Sequence, residues 1–76
     1  MGYMRSGVIV EYNEVTGLGV IFDINSEKDY AFDLYGIIDG KMEDIRVNTM
    51  VTFVKHGNSI KPMATDIQVV KQRKAV

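Results

Sequence analysis

Short apolar segments separated by turn residues dominate this chain. β-branched and aromatic residues cluster in segments that recur about every ten residues, a spacing typical of a small antiparallel sandwich or barrel. Helical periodicity is weak by comparison. The pattern predicts five strands, at residues 6–12, 17–24, 28–34, 49–55 and 63–70.

The third predicted strand shows the clearest alternation. Tyr30 and Phe32 alternate with small or acidic residues, so period two places both rings on one face. We therefore expect Tyr30 and Phe32 to point into the core. A longer connection over residues 35–48 leads to the fourth strand. Five such strands suit a closed barrel, which has no exposed strand edge, and composition alone also allows an SH3-like barrel.

Length and composition limit the classes of protein. A chain of 76 residues holds one compact domain with a small core, and no apolar run approaches the ~20 residues that cross a bilayer. Cysteine is absent, which excludes disulfides and thiolate chemistry. The N-terminus lacks a secretion-signal pattern, so we expect a cytoplasmic protein without membrane contact. We expect one domain over residues 1–70 and a tail over 71–76.

Charge is distributed unevenly along the chain. The net charge is −1, but Lys71, Arg73 and Lys74 all lie in the tail. Residues 1–70 hold six basic and ten acidic residues and therefore carry −4. A field of that sign repels phosphate, whereas nucleic-acid-binding proteins usually display a basic patch.

The sequence offers no catalytic or metal-binding arrangement. His56 is the single histidine and has no partner with the spacing of a metal site or a catalytic relay. Acids at 39, 43 and 44 lack ligand spacing and a companion base. We therefore expect no enzymatic activity, no metal, no cofactor and no small-molecule substrate.

Several motifs together resemble the bacterial cold-shock family. Residues 6–13 and 16–21 resemble its first two strands, with an aromatic–Asn pair and a spaced glycine motif. Residues 28–34 stand where the family has its second nucleic-acid motif, and 51–53 and 62–64 resemble its last two strands. The match spans about residues 5–70 without a gap. The resemblance implies an all-β fold, a five-stranded antiparallel OB-fold barrel whose first three strands carry the ligand face.

The ligand face departs from the family pattern. Where the family carries exposed rings and a histidine, Tyr12 is the only ring that remains. The other positions hold aliphatic, small or acidic residues: Glu11, Leu18, Val20, Ala31, Asp33 and Leu34. Base stacking is worth about 1–3 kcal/mol per base, so the inherited binding is weakened. Residues 11–34 also carry six acids against Lys28, a net charge of −5.

The first functional hypothesis is weak binding of single-stranded RNA or DNA, as a nucleic-acid chaperone or regulator. Tyr12, Phe22 and Tyr35 form a relocated stacking platform in this interpretation. In the same interpretation, basic residues of the last hairpin and of the tail bind the phosphate groups of the nucleic acid, on the side away from the acidic strands. These hairpin residues are Lys55, His56 and Lys61.

The alternative hypothesis is a protein-interaction module that has lost nucleic-acid binding. Leu18, Val20 and Leu34, with Met42 and Met50 nearby, make an apolar patch on the first three strands. The remaining members of this contact face are Glu11, Ala31 and Asp33, and such a patch with an acidic rim marks protein contacts. The partner is a second copy of the chain or a basic protein on which it docks.

Overall fold

The computed structural model describes residues 4–58 and 60–70, which form an all-β fold with two short 3-10 turns. The strands are β1 (Met4–Asn13), β2 (Leu18–Asp23), β3 (Asp29–Asp33), β4 (Ile37–Asp39), β5 (Met50–His56) and β6 (Met63–Val69), and the turns are Leu34–Gly36 and Met42–Asp44. Residues 71–76, the predicted basic tail, lie outside the described part. No helix in the described part is long and apolar enough to span a membrane.

Five of these strands close into a barrel. The hydrogen-bonded order is β3-β2-β1-β5-β6, and β3 pairs again with β6 to complete the circuit. The predicted five-stranded OB barrel is therefore confirmed. Two pairings are parallel, β3 with β6 and β4 with β6, while the others are antiparallel. The longer connection between the third and fourth predicted strands contains β4 and both 3-10 turns. The sequence pattern did not predict β4, because a strand of three residues is too short to show periodicity.

The core follows the alternation of the strands. Tyr30 and Phe32 are 2% and 1% exposed, so their predicted inward orientation is confirmed. The rings of Tyr30 and Phe53 meet at 5.3 Å in a tilted arrangement that aromatic pairs favour. Aliphatic side chains complete the core: Ile9, Ile21, Ile45, Val51, Ala64 and Ile67.

A β-bulge interrupts the alternation of β1. Ile9 pairs with Ile21 and Glu11 pairs with Val20, so Val10 is an extra residue on β1. An inserted residue shifts the following side chains to the opposite face. Glu11 consequently faces solvent, and Tyr12 packs against the core.

Tyr12 is held by an aromatic stack at one end of the barrel. Its ring lies parallel to that of Phe32, with centroids 6.0 Å apart and an interplanar angle of 6°. The Phe32 ring covers Gly19, where an added Cβ would lie 2.5 Å from it. Only glycine at 19 therefore permits this stack. The Tyr12 hydroxyl is buried and has no hydrogen-bond partner among the described residues.

Asp23 is a buried carboxylate that organises the β2–β3 turn. It is fully buried and receives a 2.9 Å hydrogen bond from Arg5 Nη1. Its Oδ1 accepts the backbone N–H groups of Asn25 and Ser26 at 2.9 and 3.2 Å. Burial alone would raise the pKa of Asp23, but the Ser26 N–H, the Arg5 guanidinium and the Asn25 N–H outweigh it, and the pKa lies below its ordinary value of 3.8.

We predict that Asp23→Asn destabilises the protein by about 3 kcal/mol at neutral pH, because it leaves the half-buried Arg5 unpaired. Since folding lowers the Asp23 pKa, this stabilisation is present above the unfolded pKa and is lost as the pH falls through the folded pKa. Urea unfolding of wild type and variant at several pH values measures both effects. Glu14→Gln is the control, an exposed acid expected to change stability by less than about 0.5 kcal/mol. A difference independent of pH would contradict the assignment.

We predict that Tyr12→Phe stabilises the protein by about 1 kcal/mol, because it removes a buried hydroxyl without a partner and keeps the stack on Phe32. Thermal unfolding provides the measurement. Tyr35→Phe, at a residue that is 93% exposed, is the matched control and should leave stability unchanged. Destabilisation by Tyr12→Phe would show that the hydroxyl is hydrogen-bonded in solution.

Candidate nucleic-acid interface

The outward surface of β1, β2 and β3 is built from cross-strand rows. Glu11 pairs with Val20 and Val20 with Ala31, which forms one row across the three strands. The next row includes Leu18 and Asp33, which pair with each other. The structure thus brings together five of the six residues predicted as a protein-contact face.

Barrel closure extends the first row beyond β3. Ala31 pairs with Met63 across the seam, and Met63 pairs with His56 on β5. The Ala31 N–H also donates to the Pro62 carbonyl at 3.3 Å. We expected the basic hairpin to lie on the side away from the acidic strands, and that placement is wrong. The hairpin borders β3 because β6 closes the barrel against it.

The β5–β6 hairpin presents basic groups at this border. Lys55, His56 and Lys61 are all exposed. The Asn58 side-chain oxygen accepts the N–H groups of Ile60 and Lys61 at 3.0 and 2.9 Å, which fixes the backbone ahead of Pro62. The hairpin therefore holds Lys61 in a defined position next to the outward rows.

An open groove is lined by residues of the paired strands β1 and β2 and by Val47 of the loop before β5. Its volume is about 530 Å³, and Glu11 and Asn13 are polar groups in its lining. Sequence reasoning missed Val10 and Val47, whose exposed side chains line the groove, because one lies at the bulge and the other in a loop. The complete lining is Val10, Glu11, Tyr12, Asn13, Leu18, Gly19, Val20 and Val47.

The three rings predicted as one stacking platform do not form a continuous surface. Tyr12 packs against the core and lines the groove with the part of its ring that remains accessible. Phe22 pairs with Asp29 at one end of the β2–β3 ladder, whereas Tyr35 lies two residues after Asp33, which closes the other end. These ends are about 13 Å apart at about 3.3 Å per residue. Stacking at Phe22 and at Tyr35 would therefore involve different bases.

Tyr35 is the most accessible ring of this surface. It is 93% exposed and lies in the turn after β3, where the Asp33 carboxylate accepts its N–H at 2.8 Å. Leu34, the sixth predicted contact residue, donates its N–H to the Gly17 carbonyl at 2.8 Å and covers that glycine. The turn thus places an exposed ring directly beside an aliphatic contact.

The two methionines expected near the aliphatic patch belong to other elements than β1–β3. Met50 is on β5, where it pairs with Val8. Met42 is in the second 3-10 turn and is 62% exposed. The patch therefore consists of β1–β3 residues and the turn after β3.

The acidic character of this surface is lower than the sequence indicates. Asp23 is buried and paired with Arg5, so it does not contribute to the field outside. Five acids of residues 11–34 remain against Lys28. Across the seam, the exposed Lys55 and Lys61 of the hairpin add positive charge, and Lys61 directly precedes Pro62, whose carbonyl accepts the Ala31 N–H. Acids therefore lie on the β1–β3 side and bases on the hairpin side.

Within residues 4–58 and 60–70, no three histidine, aspartate or glutamate side chains lie close enough to hold a metal ion. The surface consists of aliphatic side chains, one exposed ring, acids and flanking lysines. Side chains of these kinds can bind a ligand reversibly, through apolar contacts and electrostatic attraction.

Comparison with known proteins gives a structural match without a sequence match. No family model and no curated protein matches the chain. Among solved structures, it is similar to a chain described as Drosophila Unr CSD456, with a TM-score of 0.77 and 16% sequence identity. The alignment covers 99% of this chain and 30% of that chain. At this identity the similarity shows the fold alone, and the fold is that of a cold-shock, OB-type barrel.

Proposed function

We propose that this protein binds single-stranded RNA or DNA weakly, through the outward surface of β1–β3 and the neighbouring β5–β6 hairpin. The observation that carries the proposal is the continuous row Glu11–Val20–Ala31–Met63–His56. It joins an apolar surface for bases to a hairpin with two lysines for phosphates. OB barrels commonly bind oligonucleotides on this region.

The residue chemistry accounts for weak affinity. One exposed ring, Tyr35, provides stacking beside aliphatic residues, which contact bases without aromatic overlap. Acids at 11, 29 and 33 oppose phosphate on one side, so the backbone of the ligand follows the hairpin. We assign the protein to cytoplasmic nucleic-acid chaperones or regulators, with binding as its activity and no catalytic step or cofactor.

A second candidate is a protein-docking module, and the β1–β2 groove favours it. The groove is lined by Val10, Leu18, Val20 and Val47, with the Glu11 carboxylate in its wall. An extended segment with aliphatic and basic side chains matches this lining in shape and charge. Binding of such a peptide, together with no oligonucleotide binding at low salt, would favour this candidate over the first.

We predict that Lys61→Ala weakens binding of a labelled single-stranded oligonucleotide about three- to tenfold at low salt. It should also reduce the slope of log affinity against log salt by about 0.7, the value for one lost phosphate contact. Fluorescence anisotropy over a salt series measures both quantities. Lys41→Ala is the matched control, an exposed lysine beside the second 3-10 turn. Equal effects of the two variants would contradict a specific role for the hairpin.

We predict that Tyr35→Ala reduces affinity by about five- to 100-fold, which corresponds to one lost base stack. Tyr35→Phe keeps the ring and should bind like wild type. Because Tyr35 is 93% exposed, both variants should fold normally. These variants test stacking more directly than Tyr12→Ala, which would also disrupt the stack on Phe32. Unchanged affinity in Tyr35→Ala would remove this ring from the interface.

A further inference from the structure

The β1–β2 groove has an apolar lining to which two neighbouring segments of the chain contribute. Val10, the bulge residue of β1, is 40% exposed, and Val47, in the loop before β5, is 49% exposed. Asn48 donates its N–H to the Ile9 carbonyl at 2.8 Å, which holds this loop against β1. The groove volume of about 530 Å³ lies within the ~300–1,000 Å³ of small-ligand sites. It therefore offers room and apolar surface for a nucleobase.

Two polar side chains of β1 face this groove together. Glu11 and Asn13 both line it and are both exposed. They are two residues apart on one strand, so they lie on the same side of the sheet, about 7 Å apart along β1. Among residues 4–58 and 60–70, the one ion pair joins Arg5 to Asp23, so no basic side chain of this part pairs with the Glu11 carboxylate. Both oxygens of that carboxylate are available to accept hydrogen bonds from a ligand.

The Asn13 side chain contributes a donor, because its oxygen is already used. Asn13 Oδ1 accepts the N–H groups of Val15 and Thr16 at 2.9 and 3.2 Å. These two bonds fix the orientation of the amide in the β1–β2 turn and leave the Nδ2 group, which carries two N–H donors, for a ligand. The groove thus presents a pair of acceptors at Glu11 and a donor group two residues further along β1.

Guanine is the nucleobase whose hydrogen-bonding edge matches this arrangement. Its N1–H and N2 amino groups are adjacent donors, and its O6 is an acceptor beside them. Adenine and cytosine each place an acceptor nitrogen next to a single amino group, and uracil has its one N–H between two carbonyls. Guanine alone can therefore satisfy both oxygens of a carboxylate without bringing an acceptor against them.

We propose that the β1–β2 groove binds one guanine base of the single-stranded ligand. The Glu11 carboxylate accepts the N1–H and N2–H groups, the Asn13 amide donates to O6, and the valines contact the faces of the base. This inference rests on the proposed function and adds a base preference to it. It also accounts for an acid on a surface that binds a polyanion. A carboxylate repels phosphate but accepts from a base, so at this end of the interface the base points to the protein and the phosphates point to solvent.

The test compares labelled RNA oligonucleotides of about nine nucleotides, a length suited to one OB barrel, that differ only in a central base flanked by uridines. Fluorescence anisotropy at low salt gives the affinity for guanine, hypoxanthine, adenine, cytosine and uracil at that position. Guanine should bind about five- to 100-fold more tightly than adenine, the discrimination of a bidentate contact. Hypoxanthine, which lacks the N2 amino group, should lose at least about threefold relative to guanine.

Three variants connect the preference to the groove, with the ratio of guanine to adenine affinity as the readout. Glu11→Gln should reduce this ratio below about twofold without weakening the all-uridine oligonucleotide, since it also removes a repulsive charge. Asn13→Asp keeps an oxygen for the turn but removes the donor, and should reduce the ratio as well. Glu14→Gln is the matched control, an exposed acid outside the groove lining, and should keep the wild-type ratio. Thermal unfolding checks that each variant is folded.

The outcomes separate this inference from the function on which it rests. Equal binding of the guanine and adenine oligonucleotides would overturn the guanine site and leave single-strand binding intact. A guanine preference that persists in Glu11→Gln, or one that Glu14→Gln reduces equally, would also overturn the site. No binding of any oligonucleotide at low salt would overturn the site together with the proposed function.

Discussion

The β-bulge at Val10 sets the direction of every side chain that follows it in β1. If Val10 continued the regular strand and formed no bulge, strict alternation from the buried Ile9 would place Glu11 inside the barrel and Tyr12 outside. A carboxylate in that position would lose its hydration, and Phe32 would lose the ring on which it stacks. The bulge therefore makes the sequence of β1 compatible with a closed barrel, and it also puts an acid at the β1 end of the candidate interface.

Charged groups differ in their burial as well as in their location on the surface. The ion pair of Arg5 and Asp23 takes one charge of each sign off the outer surface and uses the carboxylate to shape the β2–β3 turn. What remains outside includes an acidic surface on β1–β3 and a basic hairpin next to it. One small barrel can thus present two chemically different faces because neighbouring strands share a register.

Period-two alternation was sufficient to predict the five barrel strands and the inward orientation of Tyr30 and Phe32. It was insufficient for the bulge, because one inserted residue leaves no mark on local composition. Asp23 was counted as a surface acid, although its position before an Asn–Ser turn is the pattern of a side chain that caps backbone N–H groups. The relation between the hairpin and β3 depends on barrel closure, which joins residues far apart in the chain.

The closure of the barrel depends on few strand contacts. In the described part, a single residue pair, Ala31 with Met63, joins β3 to β6. The β1–β2–β3 meander and the β5–β6 hairpin are each held by several pairs and consist of contacts close in sequence. Such contacts form quickly, whereas a seam between distant segments carries a larger entropic cost of loop closure. We expect the seam to form late in folding and to open before the rest of the barrel, so a local opening there would part the lysine-bearing hairpin from the acidic rows.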